Sequence, residues 1–436
     1  MKRVANLIVA ILLFCLPRVL NAQDGMPRLI LPATLANDFS DLPPVQNAIE
    51  FYQGLIRRNP GDAVSYLSLA QCYMRQGRET GDAGSYAKAE SSLSMALRLS
   101  PQSPPARTSL AVVYYSQHRF SEALALSRDL IAEDPNSRDA LAVWGDVNLA
   151  LGNYGEAENV YQKLIAKNSG AAMLARMAQI AELKGKRREA LKLMNRAVQD
   201  ALNHEGTGAG VAWYLFRLAE LNFHSGELSE AARMYAAAAQ VFPQSYPALA
   251  GLGKVSAAHG RYRDAIAYYQ KAIAIAPQPD FLSALGDLYR VTGDNENAQK
   301  QYATVEYIGR LAEINRQIYN RQLANFYSDH DIHPEKALQL ALAELKSRKD
   351  MLGYDAAAWA YLKNGNAANA SRMIEAALRF GTQDARLYYH AGMIAKAMGQ
   401  NSNAGRLLSR ALQINAHFDL LQAKIARDAL SRLKNR

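Results

Sequence analysis

The stretch LGKVSAAHGRYRDAIAYYQKAIAIAP, residues 252–277, contains the pattern that decides the fold. It divides into two helix-forming segments at Gly260, and Pro277 ends the second because proline cannot continue a helix. In the first segment Leu252 stands beside the small Gly253, which allows another helix to approach closely. In the second segment, three residues at spacings of four and three share one helix face: Ala265, Tyr269 and Ala272. The stretch therefore predicts a helix-turn-helix pair in close contact.

The same pair of segments recurs along the chain at steps of 33, 34, 38 or 41 residues. The small residues of the first segments are Ala70, Ala111, Gly145, Ala178, Ala219, Gly253, Gly286, Ala324, Ala358 and Gly392. The alanines of the second segments are Ala89, Ala123, Ala157, Ala190, Ala231, Ala265, Ala298, Ala337, Ala370 and Ala404. Glycines expected to end the first helices are Gly77, Gly152, Gly185, Gly226, Gly260, Gly293, Gly365 and Gly399. Repeats in phase predict a stacked array, which grows without splitting into globular domains.

This repeat resembles the tetratricopeptide repeat, whose W-x2-L-G-x2-Y…A-x3-F…P pattern has a period of 34 residues. The resemblance covers residues 43–418, although other residues mostly replace the consensus tryptophan and the last repeats lack the proline. It implies an all-α, right-handed superhelical solenoid of about ten helix-turn-helix repeats. Residues 78–90, 325–338 and 388–399 are also similar to a bacterial family of exported tetratricopeptide proteins, which implies an extracytoplasmic setting but no particular activity.

The two ends of the chain complete the predicted domain order. Lys2 and Arg3, an apolar run over residues 5–16 and the small Ala22 predict a secretory signal peptide over residues 1–22. The alternative is an uncleaved membrane anchor, although the apolar run is short for a span. The predicted order then continues with a lead-in over 23–42, a partial repeat helix over 43–62, ten repeats over 63–418 and a capping helix over 419–436. A polar-faced cap is what the open end of a solenoid requires.

Charge and cysteine content narrow the classes of function. The formal net charge of +10 falls to +7 without residues 1–22, which hold three basic residues and no acidic one. That balance suits an anionic partner but forms no nucleic-acid stripe. Cys72 is then the only cysteine, so no intramolecular disulfide can form. The H-E-x-x-H and G-x-S-x-G motifs are absent, so we expect neither an enzyme nor a cofactor.

Three insertions at residues 78–84, 204–210 and 309–320 break the period and are expected to lengthen a turn or helix, or to carry function. The glycines of the second insertion lack the preceding strand that a nucleotide-binding loop needs. The segment SDHDIHPEK, residues 328–336, gathers imidazoles and carboxylates that could ligate a metal. So short a segment rarely supplies four ligands, so these residues are expected to close a turn, and a metal or enzymatic role centred on 329–335 stays an alternative.

The resemblance also implies that first helices line the concave face and contact a partner through the second, fifth, ninth and twelfth positions of each repeat. In the fifth repeat these positions are Trp213, Phe216, Glu220 and Phe223. In the sixth and seventh they are Pro247, Ala250, Lys254, Ala257, Asp280, Ser283, Asp287 and Arg290. The alternative for the aromatic residues is packing within the scaffold.

Two later repeats supply the remaining candidate binding residues. Arg321 with Asn325 partly resembles the carboxylate clamp by which some family members hold a peptide C-terminus. Leu352 and Ala356 stand where that clamp needs basic residues. Trp359 occupies the same stripe in the ninth repeat.

These observations predict an exported, non-catalytic scaffold, periplasmic or secreted, that binds a protein or peptide through its concave face. We expect no metal, no nucleic-acid partner and no stable membrane span after signal cleavage. Two alternatives remain at this stage: a subunit of a cell-envelope assembly such as polysaccharide export, and the metal or enzymatic role centred on residues 329–335.

Overall fold

The computed structural model describes residues 45–167, 169–204, 206–314 and 320–434, which form helices and connections without a strand. The predicted signal peptide and the lead-in over 23–42 lie outside the described residues. The helices are α1 Val45–Arg58, α2 Ala63–Thr80, α3 Ala83–Leu99, α4 Pro104–Ser116, α5 Phe120–Glu133, α6 Arg138–Leu151, α7 Tyr154–Lys167, α8 Ala171–Leu183, α9 Arg187–His204, α10 Ala209–His224, α11 Leu228–Val241, α12 Tyr246–Ala258, α13 Tyr262–Ile275, α14 Pro279–Val291, α15 Asn295–Ile314, α16 Asn320–Asp329, α17 Pro334–Ser347, α18 Met351–Lys363, α19 Ala367–Leu378, α20 Ala385–Ala397, α21 Asn401–Ile414 and α22 Gln422–Lys434. Within the described ranges, no helix has both the length and the apolar character that crossing a bilayer requires.

Each even-numbered helix from α2 to α20 packs on the odd-numbered helix that follows it. The small residue of the first helix makes this contact possible. A Cβ atom added to Gly253 would lie 2.7 Å from Cδ2 of Tyr269, and one added to Gly392 would lie 2.7 Å from Cγ of Leu408. The alanines of the second helices are at most 2% exposed. The predicted all-α solenoid of helix pairs is therefore confirmed.

The first insertion continues helix α2 instead of lengthening a loop. Gly77, expected to end that helix, is buried inside it, where an added Cβ would lie 2.8 Å from Cε2 of Tyr86. That expectation is wrong, because the helix runs on to Thr80 and ends at Gly81, which has a φ of 69°. Asp82 then begins α3 by accepting a hydrogen bond of 2.8 Å from the Gly84 backbone N–H. The other two insertions lie at the ends of long helices. The second begins at the last residue of α9, which has 18 residues, and the third begins within α15, which has 20.

Successive turns of the solenoid touch along a seam that joins residues nearly two hundred positions apart. The backbone N–H of Met351 donates a hydrogen bond of 2.9 Å to the Tyr154 hydroxyl. Gly152 and Gly185 lie so close to the backbone of the next turn that an added Cβ would collide with the carbonyls of Lys349 and Gly381. We call these contacts, together with one between Asn415 and Phe223, the inter-turn seam. The chain thus returns over itself after about six repeats, and its first helices surround a common interior.

Candidate functional site

A cavity of about 1340 Å³ lies on the inner side of the solenoid. Its wall is formed mainly by the even-numbered helices from α8 to α20 and by the connection from α21 into α22. All the stripe positions predicted in the sixth and seventh repeats line it: Pro247, Ala250, Lys254, Ala257, Asp280, Ser283, Asp287 and Arg290. The periodicity of the repeat therefore places the stripe positions of these two repeats on the cavity wall.

A network of charged side chains covers the wall at the fifth and sixth repeats. Glu220 accepts hydrogen bonds from the Tyr235 hydroxyl and, at 2.9 Å, from Nζ of Lys254. Burial alone would raise the pKa of the Glu220 carboxyl, but Lys254, His224 and the tyrosine hydroxyl lower it to about 2. Nδ1 of His224 lies 3.1 Å from the Glu182 carboxylate. Burial opposes the charge on His224, yet the neighbouring carboxylates outweigh it and raise the pKa of its imidazole.

The aromatic residues predicted for binding separate into two groups. Phe216 and Phe223 line the cavity, and Nζ of Lys254 lies 4.9 Å from the ring centroid of Phe223. Phe223 is only 3% exposed, so most of its ring packs within the scaffold. Trp213 is 50% exposed but is not part of the cavity wall, and its ring meets Tyr214 edge-on at 5.1 Å. The structure therefore brings Phe216, Glu220 and Phe223 together on the wall and places Trp213 elsewhere.

Trp359 lies in the core. It is 2% exposed, donates a hydrogen bond of 2.8 Å from Nε1 to Asp329, and stacks on the His390 ring at a centroid distance of 4.2 Å. Nδ1 of His390 lies 2.7 Å from Oδ1 of Asp355. Asp329 of α16 and His390 of α20 thus hold the indole in place, so Trp359 offers no surface to a ligand in the cavity.

The two residues predicted for a clamp line the cavity, but the charged one is already paired. Nη2 of Arg321 donates to Asp350 at 2.9 Å and to Glu344 at 3.1 Å. Arg348 meets the same two carboxylates, which are almost completely buried. Arg321 is therefore neutralised by the chain's own carboxylates and has little charge to offer a peptide C-terminus. Oδ1 of Asn325 has no hydrogen-bond partner among the described residues.

The side chains of residues 328–336 point to different partners. Asp329 pairs with Arg386 at 2.8 Å, and Nε2 of His330 lies 2.8 Å from Asp287. Asp331 pairs with Lys363 at 2.6 Å. His333 begins α17 with a φ of 46°. In the part of the chain that the structure describes, no three histidine, cysteine or acidic side chains are grouped as metal ligands would be.

Among the wall residues that sequence reasoning did not identify are Asp419, in the connection between α21 and α22, and Gln422, the first residue of α22. Asp419 accepts hydrogen bonds of 2.8 Å from the backbone N–H groups of Leu421 and Gln422 and so begins α22. The side chain of Gln422 is 4% exposed, and its Nε2 donates to Asp329. The repeat pattern ends before these residues, so its period could not place them.

Family models support the repeat along much of the chain. Models described as "Tetratricopeptide repeat" match residues 35–104, 142–206, 222–288 and 385–418. A model described as "Anaphase-promoting complex, cyclosome, subunit 3" matches residues 82–164.

Individual proteins show more distant similarity. Protein O-mannosyl-transferase TMTC1 of Homo sapiens is 25% identical over 178 residues, which is 40% of this chain and 19% of that protein. The chain thus spans about a fifth of the length of that relative. The crystal structure of yeast Tom70 is 13% identical, with 89% of this chain and 93% of that one covered and a TM-score of 0.40. The human IFIT1 dimer with PPP-AAAA is 14% identical, with 85% of each chain covered and a TM-score of 0.46.

Proposed function

We propose, given that this chain belongs to the tetratricopeptide repeat superfamily, that it is an exported, non-catalytic scaffold that binds a protein or peptide partner on its concave face. The fold is that of a scaffold, and such arrays use their extended inner surfaces for binding. Binding, rather than chemistry, is the role that the arrangement of the wall supports.

The cavity is the observation that carries this proposal. Seven consecutive first helices, from α8 to α20, contribute to one wall, so a ligand that follows it would contact several repeats in succession. The volume of about 1340 Å³ exceeds that of ordinary small-molecule pockets, which hold roughly 300–1,000 Å³. Both charged and apolar side chains line the wall, as a peptide with mixed side chains would require. A segment of protein fits these dimensions better than a small metabolite does.

Export is the second part of the proposal. It is supported by the basic Lys2 and Arg3, the apolar run that follows them and the small Ala22. The partner would then be another protein outside the cytoplasm. Intact-mass measurement of the protein from its native host should show a mature chain beginning near Gln23, whereas retention of Met1 in the bulk of the protein would contradict export.

Affinity capture of partners from the native compartment tests the binding role. One of the bait proteins carries a bulky substitution that fills part of the cavity. Ser283 lies on the part of the cavity wall that α14 forms, so Ser283→Trp places a bulky ring inside the cavity. Glu296 begins α15 with a side chain that is 80% exposed, so Glu296→Trp adds the same ring to the outside. We expect Ser283→Trp to lose the partner that wild type and Glu296→Trp retain, with the same helical circular dichroism in all three. Equal capture by all three baits would exclude the concave face as the binding surface.

A further inference from the structure

We infer that the cavity holds a site for a cationic group of the partner, a lysine ammonium or an arginine guanidinium, formed by the carboxylates of Asp280 and Asp419 with the side-chain oxygen of Gln422. This inference rests on the proposed function, because it names the chemistry of the segment that enters the concave face. Asp280 lies in α14, whereas Asp419 and Gln422, which are far away in the sequence, lie in the connection before α22 and at the first residue of that helix.

The first observation concerns the charges of the inner wall. Arg410 and Arg427 bond to the Gln383 side chain and to the Ala416 carbonyl, and four other basic side chains are already paired with carboxylates. The pairs are Arg217 with Glu182 at 3.4 Å, Lys254 with Glu220 at 2.9 Å, Arg321 with Asp350 at 2.9 Å, and Arg386 with Asp329 at 2.8 Å. Among the described residues, no lysine, arginine or histidine nitrogen lies within ion-pair distance of Asp280 or Asp419, although both line the cavity. The wall therefore keeps two carboxylates that form no direct ion pair with a side chain of the described structure, although the charge of Arg386 acts on both at longer range.

Gln422 supplies the second, independent observation. Its side chain is 96% buried, and Nε2 donates to Asp329, which fixes the orientation of the amide because a carboxylate cannot face the amide oxygen. Oε1 is then left without a donor among the described residues. Buried acceptors normally have a partner. A donor entering from the cavity would supply it.

The surroundings favour a charged donor over a neutral one. Asp280 is open to the cavity, but the protein around it replaces bulk water, and this burial raises the pKa of its carboxyl against the opposing charges of Arg386 and Lys254. Burial likewise raises the pKa of Asp419, and the negative charge of Asp329 adds to it. For each carboxylate, burial thus outweighs the groups that stabilise its charged form, among them Arg386 for both and the two backbone N–H donors for Asp419, and a cation would add to that stabilisation.

The walls beside these groups can accept the stem of a long basic side chain. Phe281, Leu352 and Leu420 line the same cavity, and Leu352 is 44% exposed although it is apolar. Lysine and arginine bury their methylene groups along such surfaces while the charged end reaches polar partners. A basic residue can therefore satisfy the carboxylates and cover apolar surface at once.

Isothermal titration calorimetry of the mature protein at low salt tests this site with two synthetic probes. They are acetyl-(Gly-Lys)4-amide and the neutral acetyl-(Gly-Gln)4-amide. The test variant combines Asp280→Asn with Asp419→Asn. Among the described residues, the side chain of Asp280 makes no hydrogen bond, and asparagine at 419 can still accept from the backbone N–H groups of Leu421 and Gln422, so folding should be preserved.

The control variant combines Asp264→Asn with Asp294→Asn. Asp264 lies in the first turn of α13 as Asp280 does in that of α14, and Asp294 begins α15 by accepting from the Asn297 backbone N–H at 3.1 Å. Neither residue lines the cavity, so the control has the same loss of charge at matched positions. We expect the lysine probe to bind wild type and the control with equal affinity and the test variant at least tenfold more weakly, and the glutamine probe to bind at least tenfold more weakly than the lysine probe.

Undiminished binding by the test variant, equal binding of the two probes, or no binding of the lysine probe to wild type would each overturn the cationic site. None of these results decides the proposed function, which is tested separately by the loss of the partner in Ser283→Trp. A partner that is lost in Ser283→Trp but retained in the Asp280→Asn, Asp419→Asn variant would show that the concave face binds without this site.

Discussion

Asn415 donates a hydrogen bond of 2.7 Å from Nδ2 to the backbone carbonyl of Phe223, which belongs to the preceding turn of the solenoid. Both residues are buried, at 2% and 3% exposure. In an extended repeat array each repeat contacts only its neighbours. Here the bond connects the end of helix α10 to the residue that caps the end of α21, just before the connection to α22, and so couples repeats that are far apart in the sequence.

Replacing Asn415 should weaken both sides of the seam together. Asn415→Ala removes one of the hydrogen bonds to the buried Phe223 carbonyl, which also accepts from the Gly226 backbone N–H at 2.9 Å, and so costs about 0.5–1.5 kcal/mol. Hydrogen exchange should therefore show lower protection at the end of α10 as well as in α22. Asn401→Ala, at an exposed position of α21, is the control and should change stability by less than about 0.5 kcal/mol. Loss of protection in α22 alone would contradict a coupled seam.

Two turn glycines separate backbone strain from the inter-turn contact. Gly152 and Gly293 both have a φ of 86°, but an added Cβ meets the Lys349 carbonyl only at Gly152 and nothing within 4 Å at Gly293. Gly293→Ala should cost about 1–2 kcal/mol from the left-handed conformation alone. Gly152→Ala should cost a further 1–3 kcal/mol or so from overpacking, and should expand the molecule in small-angle X-ray scattering. Equal melting temperatures and equal radii of gyration for the two variants would show that the turns do not touch at Gly152.

A second pair of glycines tests the contact inside a repeat. Gly253→Ala places a Cβ 2.7 Å from Cδ2 of Tyr269, so overpacking should destabilise the protein by about 1–3 kcal/mol. Gly155, in the exposed first turn of α7, has nothing within 4 Å of an added Cβ. Gly155→Ala should be neutral or stabilising by up to about 1 kcal/mol, because alanine loses less backbone entropy in a helix. Thermal melts compare the two, and an unchanged melt for Gly253→Ala would show that the assigned helix contact is absent.

The sequence predicts contacts within a repeat better than contacts between turns, for a physical reason. The packing of Gly253 on Tyr269 recurs in each repeat and leaves a periodic trace of small residues. The seam joins loops about six repeats apart, and the spacing within one repeat does not reveal that Asn415 meets Phe223. The stripe positions predict Lys254 and Asp280 on the cavity wall, because helical periodicity alone determines that face. Trp359 occupies a stripe position but is buried, because its bond to Asp329 and its stacking on His390 could not be read from spacing.

His118 should make the stability of the seam depend on pH. Its Nδ1 lies 3.4 Å from Nη1 of Arg348 in the other turn. Burial lowers the pKa of His118 to about 4, with the charges of Arg348 and Arg321 adding to the effect. The unfolded chain binds a proton at this imidazole near pH 6.5, whereas the folded chain does so only near pH 4. The contribution of His118 to folding stability is therefore fully present above pH 6.5 and is lost as the pH falls toward 4.

The variant His118→Asn isolates this contribution. Asparagine tolerates the left-handed backbone at this position, where φ is 60°, and does not titrate. Between pH 7.5 and pH 5, wild type should lose about 1–2 kcal/mol more of its unfolding free energy than the variant. Urea unfolding at the two pH values measures the difference, and parallel losses in the two proteins would contradict the buried neutral state of His118.

Site-specific photo-crosslinking tests the concave-face binding role most directly. Benzoylphenylalanine is introduced at Ser283, on the cavity wall, or at Glu296, on the outer surface, and each protein is irradiated in the native compartment. The concave-face role predicts that Ser283 forms a covalent adduct with a partner peptide, identified by mass spectrometry, and that Glu296 does not. An adduct formed from Glu296 but not from Ser283 would contradict it.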